Sequence, residues 1–324
     1  MTMKKNIILS YIFLYSFIFS DGPYTVNTIT EQDGLRNGPD YAGGIVYYPE
    51  SANGPLPIIV MVPGFSSFIS SIEDWGPYLA SYGIVTMFVN VNNIFFDPYA
   101  RSQALQDGLI SIKLENERIG SPLLGNLNVD NVSVGGWSMG GGGAQLASHE
   151  EPSIKAVIAL SPWLSNWIVS FNNNTPIIFF SGEFDSIASN DFHTNVFYNY
   201  TPESTDKLLF EISGGSHYTV CNPYNNENMG LKALYWIERY INNNNENCNL
   251  LIEQPLSASG FATNIECIEQ LIGDVNNDGI LNVTDVVSIV DIILNDGYLD
   301  SADVNLDGNI NILDAIQLVN IILE

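Results

Sequence analysis

The stretch Gly136-Trp137-Ser138-Met139-Gly140-Gly141-Gly142-Gly143 narrows the choice of fold more than any other part of the chain. The run before it, Asn131-Val132-Ser133-Val134-Gly135, is β-rich, and Ala144-Gln145-Leu146-Ala147 after it suits a helix. Strand, sharp turn and helix form the context in which G-x-S-x-G becomes a nucleophile elbow. In that turn Ser138 is strained and its hydroxyl is pushed out above a sheet. Positions 136 and 140 must be small because the strand and helix backbones nearly touch there. A bare G-x-S-x-G is common; the flanking pattern gives this one its meaning.

The rest of residues 40 to 247 agrees. Apolar runs at Ile58–Val62, Gly83–Val91, Val129–Val134, Ile154–Leu160, Pro176–Phe180 and Leu208–Ile212 read as strands. Helical patterns fall between or after them, near 70–81, 100–118, 139–149 and 229–242. The alternation predicts an α/β chain with a doubly wound, mostly parallel sheet. Tyr24 to Tyr48 reads as antiparallel strands at one edge, and the Asn-rich runs at 172–174 and 242–245 as loops or a helix end. Residues 249–272, with Pro255 and Gly260, read as a less regular connector carrying a disulfide, which bounds the main domain at 21–248. A separate module occupies 273–324.

The chain has 324 residues and a net charge of −26. That charge argues against nucleic acid and anionic membrane surfaces as partners. Residues 1–20 read as a signal peptide: Lys4 and Lys5 precede the apolar run Asn6 to Phe19, with cleavage near Ser20. The mature protein is then expected to be secreted and soluble. An exported chain can hold a disulfide. Of the three cysteines, Cys248 and Cys267 lie close together near the end of the main domain and make the better pair, which leaves Cys221 free.

A serine hydroxyl needs a base within hydrogen-bond reach, and the base needs an orienting acid. The chain holds three histidines: His149, His193 and His217. His149 lies on the helix leaving the elbow, too close in sequence to reach back. His217 follows the strand Leu208–Ile212 in a Gly-rich loop, Ser213-Gly214-Gly215-Ser216, which opens where the elbow opens. His193 has a helical context and is expected to be a structural or pocket-wall residue. The acid should follow the strand Pro176–Phe180, where Glu183, Asp185 and Asp191 are candidates. Asp185 sits deepest in that loop, though an Asp before Ser-Ile-Ala also suits a helix cap. Two backbone N–H groups are expected to face developing negative charge: Met139, after the serine, and Phe65, in the turn Pro63-Gly64-Phe65.

At these residues the chain resembles the bacterial cutinase and polyester-hydrolase family, from about Pro39 to Cys267. The matching segments are Gly136 to Gly143, Ser161-Pro162-Trp163, Asp185-Ser186-Ile187-Ala188 and Gly214-Gly215-Ser216-His217. The resemblance implies an α/β-hydrolase fold with Ser138, Asp185 and His217 as a triad and Phe65 and Met139 as the oxyanion hole. It implies a cleft walled by Trp163 and Ile187, with a non-catalytic histidine near His193 and an aromatic residue at Tyr218. Cys248 and Cys267 match the family's C-terminal disulfide. The activity implied is hydrolysis of polyesters or other bulky acyl esters by a monomer, through an acyl-enzyme and without a catalytic cofactor. The chain departs from the family at Phe65, where tyrosine is common, and at Ser189, where proline is usual. Gly182 and Thr219 stand where some members carry a second disulfide.

The tail holds an internal repeat. Asp274, Asn276, Asp278, Asn282 and Asp285 place oxygen side chains at positions 1, 3, 5, 9 and 12 of a calcium loop, with Gly279 at position 6 and the Ile280 carbonyl at 7. Asp303, Asn305, Asp307, Asn311 and Asp314, with Gly308 and Asn309, repeat it 29 residues on. Each loop precedes an apolar helix, Val286–Leu294 or Ala315–Leu323. This module resembles a type I dockerin, which implies calcium and a cohesin partner on a scaffold or surface. Val283-Thr284 and Ile312-Leu313 replace the Ser/Thr pairs usual in well-known dockerins. Two other readings are an esterase that deacylates polysaccharide while tethered through the tail, and a scaffold protein with a decayed hydrolase domain. The complete Ser138, Asp185 and His217 set counts against decay.

Overall fold

The structure is a computed structural model that describes residues 22–165, 172–267 and 271–323, apart from 277, 296 and 298. Residues 1–20, expected as a signal peptide, lie outside the described residues. The chain divides into two compact units, one reaching Ile265 and one from Glu266 onward.

The first unit is built on one nine-stranded sheet. Its strands are β1 (Val26–Thr30), β2 (Tyr41–Pro49), β3 (Leu56–Val62), β4 (Val85–Val91), β5 (Leu127–Trp137), β6 (Ile154–Leu160), β7 (Ile177–Gly182), β8 (Lys207–Ile212) and β9 (Ala258–Thr263). They lie in the order β1-β2-β4-β3-β5-β6-β7-β8-β9. The six strands from β4 to β8 run parallel, and β1, β2 and β9 are antiparallel additions at the edges. Among the described residues, six α-helices complete the unit: α1 (Trp75–Ser81), α2 (Pro98–Glu115), α3 (Met139–Glu150), α4 (Thr194–Tyr200), α5 (Glu227–Ile241) and α6 (Cys248–Ile252).

Strand β3 shows why this arrangement forms. Ile58, Val60 and Val62 pack in one cluster with Leu105 and Leu109 of α2 and Ala144 and Ala147 of α3. Ile59 and Met61, which point to the other face, are equally inaccessible. A strand apolar on both faces needs helices on both faces, and a parallel sheet supplies the crossovers that place them. The order reverses at β3: the chain moves from β3 to β4 on one side and to β5 on the other. Such a reversal opens a crevice at the carboxyl ends of the strands.

Residues 249–272, expected as an irregular connector, contribute most of α6 and all of β9. The strand pairs antiparallel with β8, and Phe261 meets Phe210 edge to face at 6.2 Å between centroids. It stays largely half-buried along its length, so it lacks the apolar alternation that marks a strand in sequence. Cys248 and Cys267 are disulfide-bonded, and Cys221 is free.

The second unit contains α7 (Val283–Leu294) and α8 (Ile312–Leu323). Each helix leaves a loop with the same internal bonds. Asp274 accepts from the Asp278 and Gly279 amides, as Asp303 does from Asp307 and Gly308. Asp285 reaches back to the Asn276 and Asn282 amides, as Asp314 does to Asn305 and Asn311. Gly279 and Gly308 turn the chain at φ 79° and 81°, where a side chain would be strained. Ile289, Ala302, Val304, Ala315 and Leu318 form the small core beneath.

Candidate active site

Ser138 stands between β5 and α3 at φ 57°, ψ −120°, a backbone conformation that persists only where its surroundings enforce it. They do so closely. A Cβ on Gly136 would lie 2.5 Å from the Gly140 carbonyl carbon, and one on Gly140 would lie 2.3 Å from the Val62 oxygen. The Ser138 amide donates to Leu160 O at 2.8 Å, and its carbonyl accepts from Trp163 N at 2.8 Å and Gly142 N at 3.1 Å. The serine is therefore clamped from β6, from the loop after it and from its own helix.

His217 lies in the loop after β8. Its Nδ1 is 2.7 Å from Asp185 Oδ2. The other Asp185 oxygen accepts from Ile187 N at 2.9 Å and Ala188 N at 2.8 Å. Asp185 thus caps the chain that follows it and also holds the histidine. Burial alone would raise its pKa, but the His217 bond and charge, with the two amides, outweigh burial and hold the carboxyl below its ordinary value. Both residues are buried. Trp137, next to Ser138, donates from Nε1 to the His217 carbonyl at 2.9 Å and packs against its ring at 5.1 Å. That contact brings the histidine loop to the elbow.

The turn Pro63-Gly64-Phe65 passes against the serine, since a Cβ on Gly64 would fall 2.9 Å from Ser138 Cβ. Among the described residues, neither the Phe65 nor the Met139 amide N–H meets an acceptor. The Phe65 ring is exposed and packs edge-on to Phe95 at 5.7 Å. Ile187 and Tyr218 are also exposed, with Tyr218 5.4 Å from the Trp137 ring.

The other two histidines lie elsewhere. His149 is exposed in the last turn of α3. His193 precedes α4, with its ring 5.7 Å from Trp163 and 6.0 Å from Phe197. Burial pushes its pKa below the ordinary histidine value, so it is neutral at neutral pH. Of the three acid candidates, Asp191 is exposed and Glu183 braces the histidine loop by accepting from Gly214 N at 2.8 Å. The bracing roles of Trp137 and Glu183 had no sequence signal beyond their places beside the elbow and the acid. In the tail, among the described residues, no three His, Cys, Asp or Glu side chains converge closely enough to form a metal cluster.

A model of PET hydrolase-like proteins matches residues 16–267. A cutinase of Thermobifida alba is 30% identical over 247 residues, 76% of this chain and 78% of that protein. A bis(hydroxyethyl) terephthalate hydrolase of Streptomyces coelicolor is 32% identical over 222 residues, 68% of each. A lipase of Moraxella sp. is 31% identical over 226 residues, 69% of this chain and 67% of that protein. With its parallel sheet, its strained serine and a buried acid–histidine pair, the chain belongs to the PET hydrolase-like family and is a carboxylic ester hydrolase.

Proposed function

We propose that the chain cleaves polyesters or other bulky acyl esters through an acyl-enzyme on Ser138. The observation that carries this is the 2.7 Å bond between His217 Nδ1 and buried Asp185, in the loop that Trp137 ties to the elbow. Asp185 fixes the tautomer that leaves Nε2 free to take the Ser138 proton. The Ser138 oxygen then attacks the ester carbonyl, and the oxyanion meets the Phe65 and Met139 amides. His217 returns its proton to the leaving alcohol. Water, deprotonated by the same nitrogen, releases the acid and frees the serine. Phe65, Trp163, Ile187 and Tyr218 supply an apolar bed for the acyl or alcohol portion, and His193 supports Trp163.

The test is hydrolysis of a soluble ester by single variants. Ser138→Ala and His217→Ala should lose about 10⁴-fold or more in kcat, while His193→Ala stays within about tenfold of the parent. An active His217→Ala beside a dead His193→Ala would reverse the assignment of the base.

The same reading extends to the ends of the chain. Residues 1–20 act as an export signal, and the tail is a dockerin-like module that takes calcium and a cohesin-like partner. Asp274, Asp285, Asp303 and Asp314 support the calcium reading: all four are buried with backbone amides as partners. Hard oxygen donors of this kind suit calcium. Asp274, Asn276, Asp278, Asn282, Asp285 and the Ile280 carbonyl would hold one ion. Asp303, Asn305, Asp307, Asn311, Asp314 and the Asn309 carbonyl would hold the other.

A further inference from the structure

Arg101, in the first turn of α2, is wholly buried. A guanidinium carries five N–H donors. Here all five end on main-chain carbonyls: Nε on Pro63 at 3.0 Å, Nη2 on Gly64 at 2.7 Å and Ile94 at 3.0 Å, and Nη1 on Phe96 and on Asp97 at 3.3 Å. Among the described residues no carboxylate forms an ion pair with it. Burial lowers its pKa to about 10, against the pull of the Asp97 charge, so it remains a cation at neutral pH.

A buried charge without a counter-ion is costly, and an apolar side chain would fill the same space at less cost. The position of the charge gives it a use. The Gly64 carbonyl that accepts the 2.7 Å bond belongs to the same peptide group as the Phe65 N–H. A cation at the oxygen end draws electron density out of that amide, and linked hydrogen bonds strengthen one another. The N–H at the other end becomes the stronger donor. The guanidinium also joins the turn to the loop 94–97, while Ser66 N donates to Ile94 O at 2.8 Å and the Phe65 and Phe95 rings pack together. The peptide cannot rotate away. Gly143 permits the approach, since a Cβ there would lie 2.7 Å from Arg101 Cβ.

We propose that Arg101 is a positioning residue for the oxyanion hole: it fixes the Gly64–Phe65 peptide and polarises its N–H toward the developing oxyanion. This rests on the reading of Ser138 and Phe65 given above. A donor sharpened in this way acts where negative charge appears, in the transition state, and so should raise kcat with little effect on KM.

The experiment uses the full chain carrying Arg101→Met or Arg101→Lys. Lysine keeps the charge without the planar fork and guards against a methionine variant that fails to fold. Three quantities are read per folded molecule, checked by near-UV circular dichroism: kcat, KM and the inhibition constant of a trifluoromethyl ketone, which forms an oxyanion on the serine. For Arg101→Met the expected result is a kcat loss of about 10- to 100-fold, KM within about threefold, and ketone affinity weakened in step with kcat. Arg101→Lys should recover part of both. Unchanged kcat and ketone affinity in folded Arg101→Lys and Arg101→Met would overturn the proposal, as would a loss carried by KM alone. Ser138→Ala separates the two readings. If it stays active, the serine mechanism fails first; if it is dead while the Arg101 variants keep kcat, only the role of Arg101 fails.

Discussion

Buried charge is handled differently in the two units. In the first, Asp185 has His217, Asp107 has Arg36, Glu115 has Arg118, and Lys207 has Glu203 with the Thr201 carbonyl. In the second, Asp274, Asp285, Asp303 and Asp314 are as deeply buried but are met by loop amides, with no cationic side chain paired to them among the described residues. Amide dipoles satisfy hydrogen bonds without cancelling the charges. Among the described residues, each buried carboxylate of the first unit is closed by a basic side chain; those of the second are met by amides, and on the calcium reading proposed above an added cation would close them. Its core is also small, and small cores have little stability in reserve.

The largest effect that sharpens this contrast lies in the closed unit. Asp185→Asn keeps the shape of the loop and removes the charge that fixes His217, so kcat should fall by about 10⁴-fold with the fold intact. A loss under about tenfold would show that the acid serves only as a cap. Next comes the covalent link: Cys248→Ser should cost about 3 kcal/mol, read as a lower urea midpoint without a change in slope. An unchanged midpoint would make the bond incidental to stability.

The conditional unit is tested by calorimetry of the full chain with and without a calcium chelator. With calcium at a hundred times its dissociation constant, binding should stabilise the tail by about 2.7 kcal/mol per ion, leaving the hydrolase transition in place. A tail transition indifferent to calcium would break the comparison. Truncation after residue 270 should leave kcat/KM on a soluble ester within about twofold, because independent regions contribute additively. A large loss would show that the tail supports catalysis. The smallest effect is a pH slope. His193 has a folded-state pKa below its unfolded value, so the unfolded chain binds the extra proton first as pH falls. Stability should decline below about pH 6.5, by at most about 1.4 kcal/mol per pH unit, and His193→Asn should flatten that slope.

Much of this was legible in the sequence where local chemistry and long-range packing demand the same residues. Ile154–Leu160 is apolar at every position but Lys155 and forms β6 with those bounds. The spacing of Asp185 and His217 after consecutive strands placed both at the carboxyl end of the sheet. The tandem loops were readable because each keeps its bonds within twelve residues. Other features depend on partners far away in the chain. β9 is a half-buried edge strand that takes its register from β8. α4 is seven residues long and buries two of them, Thr194 and Phe197, too few for a helical period to stand out. Trp137 occupies a position in G-x-S-x-G that the motif leaves open, and only the fold shows that it carries His217. Arg101 looks like an ordinary helix residue until β3 and the loop after β4 close around it.

Labelling with a fluorophosphonate probe, followed by peptide mass spectrometry, tests the assignment of Ser138 as the nucleophile. One label per chain is expected, on the peptide containing Ser138, with activity falling in proportion to label and Ser138→Ala taking none. Complete inactivation with the label on another residue, or full activity with Ser138 labelled, would contradict it.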